Sequence, residues 1–179
     1  MFAYVHPFTR TDIEKSVEVF EAKMHAHGVY CHKEVLIESL EGHPLHMLTV
    51  TAQSSDSQED DKIIDPNFAL YNKGGTRPAR FAKQTIFISS RVHCGETVAS
   101  FFLQGMFDLL AGYSEQAKLL LERYVFKIVP LLNPDGVERG YWRNDTQGLN
   151  LNRVYSEPDP VLHPTIYATK AAILHEFKK

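Results

Sequence analysis

The first candidates for chemistry are a histidine and a glutamate three positions apart. His93 and Glu96 stand in "HCGE", directly after the apolar run "IFISS" and before a second apolar run. Imidazole and carboxylate are both ordinary zinc ligands, and a His/Glu set with an open position is typical of catalytic zinc. Gly95 would let the chain turn tightly enough for both side chains to face one point. The spacing alone also occurs by chance, so a solvated surface pair is the alternative.

A second group of polar side chains follows another apolar run. After "VPLLNPDG" the segment "ERGYWRNDTQGLNLNR" supplies Arg143, Asn152 and Arg153. The guanidinium fork of arginine suits carboxylates and developing oxyanions, and an asparagine amide can orient the same carboxylate. A surface salt bridge is the alternative for Arg143 taken alone.

The N-terminal third predicts a helix and a hairpin. In "TDIEKSVEVFEAKMHAHG", Thr11 and Glu14 have the spacing of a capping box, and Gly28 is a plausible stop. The runs "EVLIESL" and "LHMLTVTA", joined by "EGHP", are typical of two hairpin strands. Residues 53–80 are acidic and then rich in Gly and Pro, which predicts a long surface loop.

The remaining segments predict an α/β unit. "QTIFISS" and "YVFKIVPLL" have the composition of buried strands, with a buried helix at "TVASFFLQGMFDLLAG" and an amphipathic helix capped by Ser114 between them. Residues 133–158 form a loop-rich segment, and a last helix begins near Pro164. We therefore expect one domain with a mixed, mostly parallel sheet flanked by helices. The carboxyl ends of parallel strands meet at one edge, so both polar groups are expected there.

Composition excludes several classes of function. The formal net charge of -3 argues against nucleic-acid binding, and no apolar run approaches the ~20 residues that cross a bilayer. Two cysteines make no disulfide framework, which favours a reducing compartment. The N-terminus lacks the pattern of a secretory signal.

The ordered motifs "HCGE", "NPDG" and "RNDTQGLNLNR" resemble the zinc carboxypeptidase family related to carboxypeptidases A and B. Within it, the chain is most similar to the cytosolic carboxypeptidases that shorten glutamate side chains on tubulin. The likeness runs from about Phe2 to Leu174. It implies a Zn²⁺ cofactor bound by His93 and Glu96.

The resemblance also implies the remaining roles. Arg143 would polarise the scissile carbonyl, and Asn152 and Arg153 would bind the C-terminal carboxylate of the substrate. The implied function is removal of terminal or branch glutamates from polyglutamylated tubulin or other glutamate-tailed proteins, by a cytoplasmic, microtubule-associated enzyme. The alternative is a non-catalytic fragment that binds acidic C-terminal tails.

The chain departs from the family pattern in two ways. Cys94 stands where the cytosolic group has proline, and its thiol would be either a third soft ligand or a small buried side chain. The family's third zinc ligand, in an Asp-x-His segment, and its later general-base glutamate are not recognisable, and His163 and His175 have structural contexts. We therefore expect residues 1–179 to be a partial catalytic domain, truncated at its C-terminus and inactive alone.

Overall fold

The computed structural model describes residues 5–53, 58–60 and 78–177. A 3₁₀ turn over Leu151–Arg153 precedes the last helix. The other elements are α1 (Arg10–Ala26), β1 (Tyr30–Glu38), β2 (Pro44–Thr51), β3 (Gln58–Asp60), β4 (Ala79–Arg80), β5 (Gln84–Ser89), α2 (Val98–Ala111), α3 (Glu115–Arg123), β6 (Tyr124–Val129), α4 (Pro134–Glu138) and α5 (Pro164–Phe177).

Four strands form one mixed sheet in the order β1-β2-β6-β5. The hairpin β1–β2 is antiparallel, β2 is antiparallel to β6, and β5 is parallel to β6. The expected mixed sheet flanked by helices is confirmed, but two of these three pairings are antiparallel rather than mostly parallel. A parallel pair needs a long crossover, and among the described elements α2 and α3 supply the crossover between β5 and β6.

Helices cover both faces of the sheet. The first apolar cluster joins α1, α2 and α3 to one face, and inside it the rings of Phe20 and Phe107 stack with centroids 4.2 Å apart. The second cluster joins α5 to the opposite face, where Ile166 and Ala172 pack with Met47 of β2. Burial of these side chains stabilises the layered arrangement, at roughly 1.5–3 kcal/mol for each large apolar side chain.

Helix α1 begins two residues earlier than its sequence pattern predicts. Thr9, not Thr11, is the N-cap: its hydroxyl accepts the Asp12 N–H, and the Asp12 carboxylate accepts the Thr9 N–H. The predicted capping box at Thr11 was wrong because two overlapping pairs, Thr9/Asp12 and Thr11/Glu14, both have the spacing of a capping box. Gly28 ends the segment as expected, with a φ of 70°.

Strand β5 and helix α2 are less buried than their composition predicts. In the described sheet β5 is one of the two edge strands, so the central side chains Ile86, Phe87 and Ile88 are only partly buried. On α2, Val98 and Phe102 are exposed although Leu103 and Phe107 are buried. Both segments carry the apolar character of covered elements, but in the described chain β5 pairs with a strand along one edge only and α2 leaves part of its surface exposed.

Most of the predicted surface loop at 53–80 lies outside the described residues, and its described parts contain the short antiparallel pair β3–β4. Ser114 caps α3 by accepting the Ala117 N–H, and α5 begins at Pro164, both as predicted. No helix among the described residues is long and apolar enough to cross a bilayer.

Candidate metal centre

The site is built beyond the carboxyl ends of the two parallel strands. The Ser90 N–H donates to the Val129 carbonyl at 3.0 Å, and the Leu132 N–H donates back to the Ser90 carbonyl at 2.9 Å. The Asn133 N–H then donates to the Arg91 carbonyl at 3.2 Å. Because the two chains stay paired past the strand ends, the "HCGE" turn and the loop after "NPDG" leave the sheet at the same edge, as expected.

His93 and Glu96 face each other at this edge. His93 Nδ1 lies 3.0 Å from Glu96 Oε1. The imidazole is buried, with His93 only 6% exposed, whereas the Glu96 side chain is 46% exposed. The pair therefore has a buried nitrogen and a solvent-accessible carboxylate at one point.

The hydrogen bond made by His93 Nε2 determines whether Nδ1 is a donor or an acceptor. His93 Nε2 lies 3.0 Å from Asn150 Oδ1, and the same oxygen accepts the Asn152 N–H at 3.0 Å. An amide oxygen only accepts hydrogen bonds, so Nε2 carries the proton. In the neutral ring Nδ1 then has a lone pair that faces the Glu96 carboxylate. Two acceptors 3.0 Å apart require a cation between them, either a proton or a metal ion.

The distance between these two acceptors fits a shared zinc ion. Zinc bonds of ~2.0–2.2 Å in a tetrahedral arrangement place two ligand atoms about 3.4 Å apart. The observed 3.0 Å between His93 Nδ1 and Glu96 Oε1 needs only a small widening. A zinc-ligating histidine usually donates its other ring N–H to an oxygen acceptor, and the Asn150 amide oxygen supplies such an acceptor here.

Arg143 is brought to the same point. Its Nη1 lies 3.2 Å from Glu96 Oε1. The neighbouring backbone explains the approach, because the Gly95 N–H donates to the Trp142 carbonyl at 2.6 Å. A Cβ on Gly95 would lie 2.6 Å from that carbonyl oxygen and overlap the Trp142 ring. Only glycine permits this contact between the turn and the loop.

The loop that carries Arg143 closes on itself. The buried Asp145 accepts the N–H groups of Gln147 and Leu149 at 3.0 and 2.8 Å. Asn144 donates to the Gly148 carbonyl at 2.8 Å, and Gly148 has a φ of 79°. These bonds form a compact turn between Arg143 and Asn150, so one short segment delivers a side chain to each of the two facing residues.

Asn152 and Arg153 lie next to the site and not in contact with the facing pair. Both are exposed in the 3₁₀ turn, and Arg153 Nη1 donates to the Asn152 carbonyl at 3.3 Å. Within the described parts of the chain, no hydrogen bond joins either side chain to Glu96 or Arg143. Their link to the site is Asn150, whose oxygen accepts both His93 Nε2–H and the Asn152 N–H.

Cys94 behaves as a small buried side chain. Its Sγ lies 3.2 Å from the Asn144 carbonyl and 3.6 Å from Asn133 Nδ2, and burial raises the pKa of the thiol. Among residues 5–53, 58–60 and 78–177, no third His, Cys, Asp or Glu side chain joins His93 and Glu96 at ligand distance. The thiol is therefore directed into the protein and away from a ligand role.

The downstream histidines have structural positions, as expected. The Asp159 N–H donates to His163 Nδ1 at 3.1 Å just before α5. His175 lies in the last turn of that helix.

A second group of potential ligand atoms lies at the β1–β2 hairpin. Glu41, His43 and Asp135 place one donor atom each within 4.8 Å of one another. Both carboxylates already have partners: Asp135 accepts from the Ser39 hydroxyl, and Glu41 forms an ion pair with Arg139. An ion there would have to displace these partners, so this group is the weaker candidate.

Asn150 contacts His93 in the candidate site but was not predicted from the sequence. It stands in "GLNLNR", two positions before Asn152. The available signal was chemical, because a metal-ligating histidine needs an acceptor for its other nitrogen. An amide in the same loop as Arg143 is a natural source of that acceptor.

Comparison with known proteins identifies a matching family model and related sequences. The family model described as "Zinc carboxypeptidase" matches residues 17–170. The chain is 40% identical to "Cytosolic carboxypeptidase-like protein 5" of Rattus norvegicus over 97% of its own length and 22% of the relative's. It is 37% identical to "Cytosolic carboxypeptidase 1" of Mus musculus, over 96% of this chain and 13% of that one. The chain thus spans about a fifth or less of these relatives.

A solved structure supports the same assignment. A metallo-carboxypeptidase from Burkholderia cenocepacia superposes with a TM-score of 0.69 at 26% identity, over 94% of this chain and 38% of that chain. From its motifs, its fold and these matches, the chain belongs to the zinc carboxypeptidase family.

Proposed function

We propose that this chain is the part of a zinc metallocarboxypeptidase in which His93 and Glu96 bind the metal. The observation that carries the proposal is the 3.0 Å separation of His93 Nδ1 and Glu96 Oε1, two acceptors that face each other. When bound, zinc supplies a Lewis acid that activates water and polarises a carbonyl group. Asn150 holds the imidazole in the tautomer that presents Nδ1.

The arginine and asparagine side chains have distinct proposed roles. Arg143 lies 3.2 Å from the ligand carboxylate, so its guanidinium is beside the point where a scissile carbonyl would sit. A cation there would stabilise the oxyanion that develops in the transition state. Asn152 and Arg153, exposed in the same loop, would bind the free C-terminal carboxylate of the substrate. Recognition of that free carboxylate is what distinguishes a carboxypeptidase from a peptidase that cleaves within a chain.

The proposed substrate is a C-terminal or branch-point glutamate of a polyglutamylated protein such as tubulin. The support is the resemblance to the cytosolic group, together with two arginines that suit an acidic tail, the exposed Arg153 and the partly exposed Arg143. Removal of glutamates from tubulin would place the protein in the cytoplasm and on microtubules. Relatives named as cytosolic carboxypeptidases are consistent with that location.

The metal assignment is tested by zinc binding to the purified chain. We expect the wild type to bind zinc and His93→Ala to lose that binding. His43→Ala is the matched control, because it removes a histidine from the competing hairpin group. Calorimetric titration of the three proteins gives the stoichiometry and affinity. Loss of binding in His43→Ala with retention in His93→Ala would move the metal to the hairpin and contradict the proposal.

A second candidate function is a binding module for acidic C-terminal tails. It is favoured by one observation: within the described residues His93 and Glu96 have no third protein ligand, whereas catalytic zinc normally has three. For this reason we expect the purified chain to release no glutamate from a glutamylated tubulin-tail peptide above a His93→Ala control. Release above that control would show that a third ligand and a base are present.

Peptide binding separates the two functions. Charge-assisted contacts contribute roughly 1.5–3 kcal/mol each, so Arg153→Ala should weaken binding of a glutamate-tail peptide ~10–100-fold. Arg139→Ala is the matched control, because Arg139 pairs with Glu41 outside the site. A binding module retains its affinity in His93→Ala and without zinc, whereas a metallocarboxypeptidase site binds the peptide more tightly with zinc. Equal losses in Arg153→Ala and Arg139→Ala would contradict the proposed carboxylate contact.

A further inference from the structure

Arg91 is a buried cation two residues before the first proposed ligand. It is 4% exposed, and burial lowers the pKa of its guanidinium. Its Nε and Nη2 both donate to the Cys94 carbonyl, at 3.0 and 2.6 Å. Its Nη1 donates to the Phe8 carbonyl at 3.0 Å and to the Ser100 hydroxyl at 2.8 Å. None of these acceptors is a carboxylate, so the cation is held for the geometry of its donor fork and not for an ion pair.

The fork acts on the peptide unit that separates the two proposed ligands. The carbonyl of Cys94 and the N–H of Gly95 belong to one planar peptide group. Arg91 binds the carbonyl end of that group, and the Trp142 carbonyl accepts the N–H end at 2.6 Å. A plane that is fixed at both ends cannot rotate. The directions in which the chain leaves it, towards His93 on one side and Glu96 on the other, are therefore fixed as well.

The backbone of Arg91 is itself in an unusual conformation. Its φ is 58°, in the left-handed region that a residue with a Cβ seldom occupies. Such a conformation persists where the surroundings over-determine it, and it is common at functional sites. Here the same residue donates from its side chain to the Cys94 carbonyl, inside the turn formed by residues 93–96.

We propose that Arg91 is a positioning residue for the metal site, holding the Cys94–Gly95 peptide so that His93 Nδ1 and Glu96 Oε1 converge before an ion binds. The inference rests on the proposed function, because it takes His93 and Glu96 to be the ligands. It adds a cause for their convergence that neither side chain supplies. The competing role for Arg91 is purely structural: its hydrogen bonds would only link Phe8, just before α1, to Ser100 in α2.

The variant Arg91→Lys tests the fork. A lysine keeps the charge but presents one ammonium group, which cannot replace the two N–H donors on the Cys94 carbonyl. We expect its zinc affinity to fall ~10–100-fold, the usual range for losing a partner that orients a metal ligand. The visible spectrum of the Co²⁺-loaded protein should change as well, because the ligand geometry is altered. Ser100→Ala is the matched control, since it removes one Arg91 contact and leaves the fork on Cys94 in place.

Melting temperature is measured for each variant, and affinities are compared well below it. If Arg91→Lys binds zinc as tightly as wild type, or if Ser100→Ala loses as much affinity, Arg91 is only a tie and the inference is overturned. If the wild type binds no zinc, or binds it as tightly as His93→Ala does, the proposed function fails together with the inference. If the wild type binds zinc through His93 and Arg91→Lys binds it equally tightly, only the inference about Arg91 is contradicted.

Two further measurements apply if Arg91→Lys does not fold. Arg91→Gly relieves the left-handed backbone and removes the fork, so it should fold and show the same loss of affinity. In the wild-type protein, the amide proton of Gly95 should exchange slowly with solvent because its peptide group is held on both sides. Rapid exchange at Gly95 would overturn the inference without any variant.

Discussion

Gly95 illustrates how a single residue controls the site. The sequence analysis expected it to allow a tight turn, and the turn is present: the Glu96 N–H donates to the His93 carbonyl at 3.2 Å. The turn does not use a positive φ at Gly95, unlike the backbone at Gly28, Gly42, Gly140 and Gly148. Glycine is also required for close approach, because the Trp142 carbonyl and ring occupy the space where a Cβ would lie. That contact comes from a distant loop, so local sequence could not predict it.

The variant Gly95→Ala should therefore destabilise the chain and disturb the site. Overpacking of this kind costs about 1–3 kcal/mol, measured as the free energy of unfolding in urea. Gly105→Ala is the control, because nothing lies within 4 Å of a Cβ at that exposed position in α2. That change should raise stability by up to about 1 kcal/mol, since alanine is the better helix former. A Gly95→Ala protein as stable as wild type would contradict the role of the Trp142 contact.

Element boundaries depend on choices that local sequence does not resolve. The helix α1 was predicted from its apolar stripe, and Ile13, Val17, Phe20 and Met24 are buried as that stripe requires. Its cap was misplaced, because Thr9 and Thr11 are each followed by an acidic residue three positions later. Propensity and periodicity give the body of a helix, whereas its first hydrogen bond is decided by atomic geometry.

Thr9→Ala and Thr11→Ala distinguish these two caps. Thr9→Ala should lower the free energy of unfolding by about 1 kcal/mol at pH 7, and Thr11→Ala should leave it nearly unchanged. The hydrogen bonds from the Thr9 backbone and hydroxyl lower the pKa of Asp12. A lowered folded-state pKa adds stability above the unfolded pKa of ~3.9 that is lost as the pH falls through the folded value.

The difference between wild type and Thr9→Ala should accordingly shrink as the pH falls below about 4. Urea unfolding from pH 3.5 to 7 measures it. A gap that widened towards low pH would show that Asp12 does not take part in the cap.

At the scale of the molecule, the sheet order could not be obtained from the strands alone. The strand "QTIFISS" has the composition of a central strand, and in the described sheet β5 is at the edge. Composition reports how apolar a segment is, and neighbours in space decide how much of it is covered. The convergence of His93 and Glu96 was predictable because it needs only the turn at Gly95, and the approach of Arg143 to the same edge needs only one parallel strand pair. The contact of Asn150 with His93 depends on a loop fold that no local pattern specifies.

The exposed apolar face of α2 should determine how strongly the protein self-associates in solution. Val98, Phe102 and Leu109 lie along one side of the helix, and Phe102 is 76% exposed. Contiguous apolar surface favours association, so Phe102→Lys should reduce self-association at high concentration. The melting temperature should barely change, because exposed substitutions usually alter stability by less than ~0.5 kcal/mol.

Gln116→Lys adds the same charge on an exposed position of α3 and serves as the control. Sedimentation velocity over a concentration series compares the three proteins. Equal effects of the two lysine substitutions would show that net charge, and not the α2 face, sets the association.

The large sequence separation between the contacting residues of the site determines when the site forms during folding. His93 and Glu96 are near neighbours in the chain, but the partners that orient them are 47 and 57 residues away. Contacts of such separation form only after the entropy of closing the intervening chain has been overcome, which makes them late events. Zinc present during refolding should therefore leave the folding rate unchanged and slow unfolding instead, because it strengthens contacts made after the transition state. The metal would act as a lock on a finished structure and not as its nucleus.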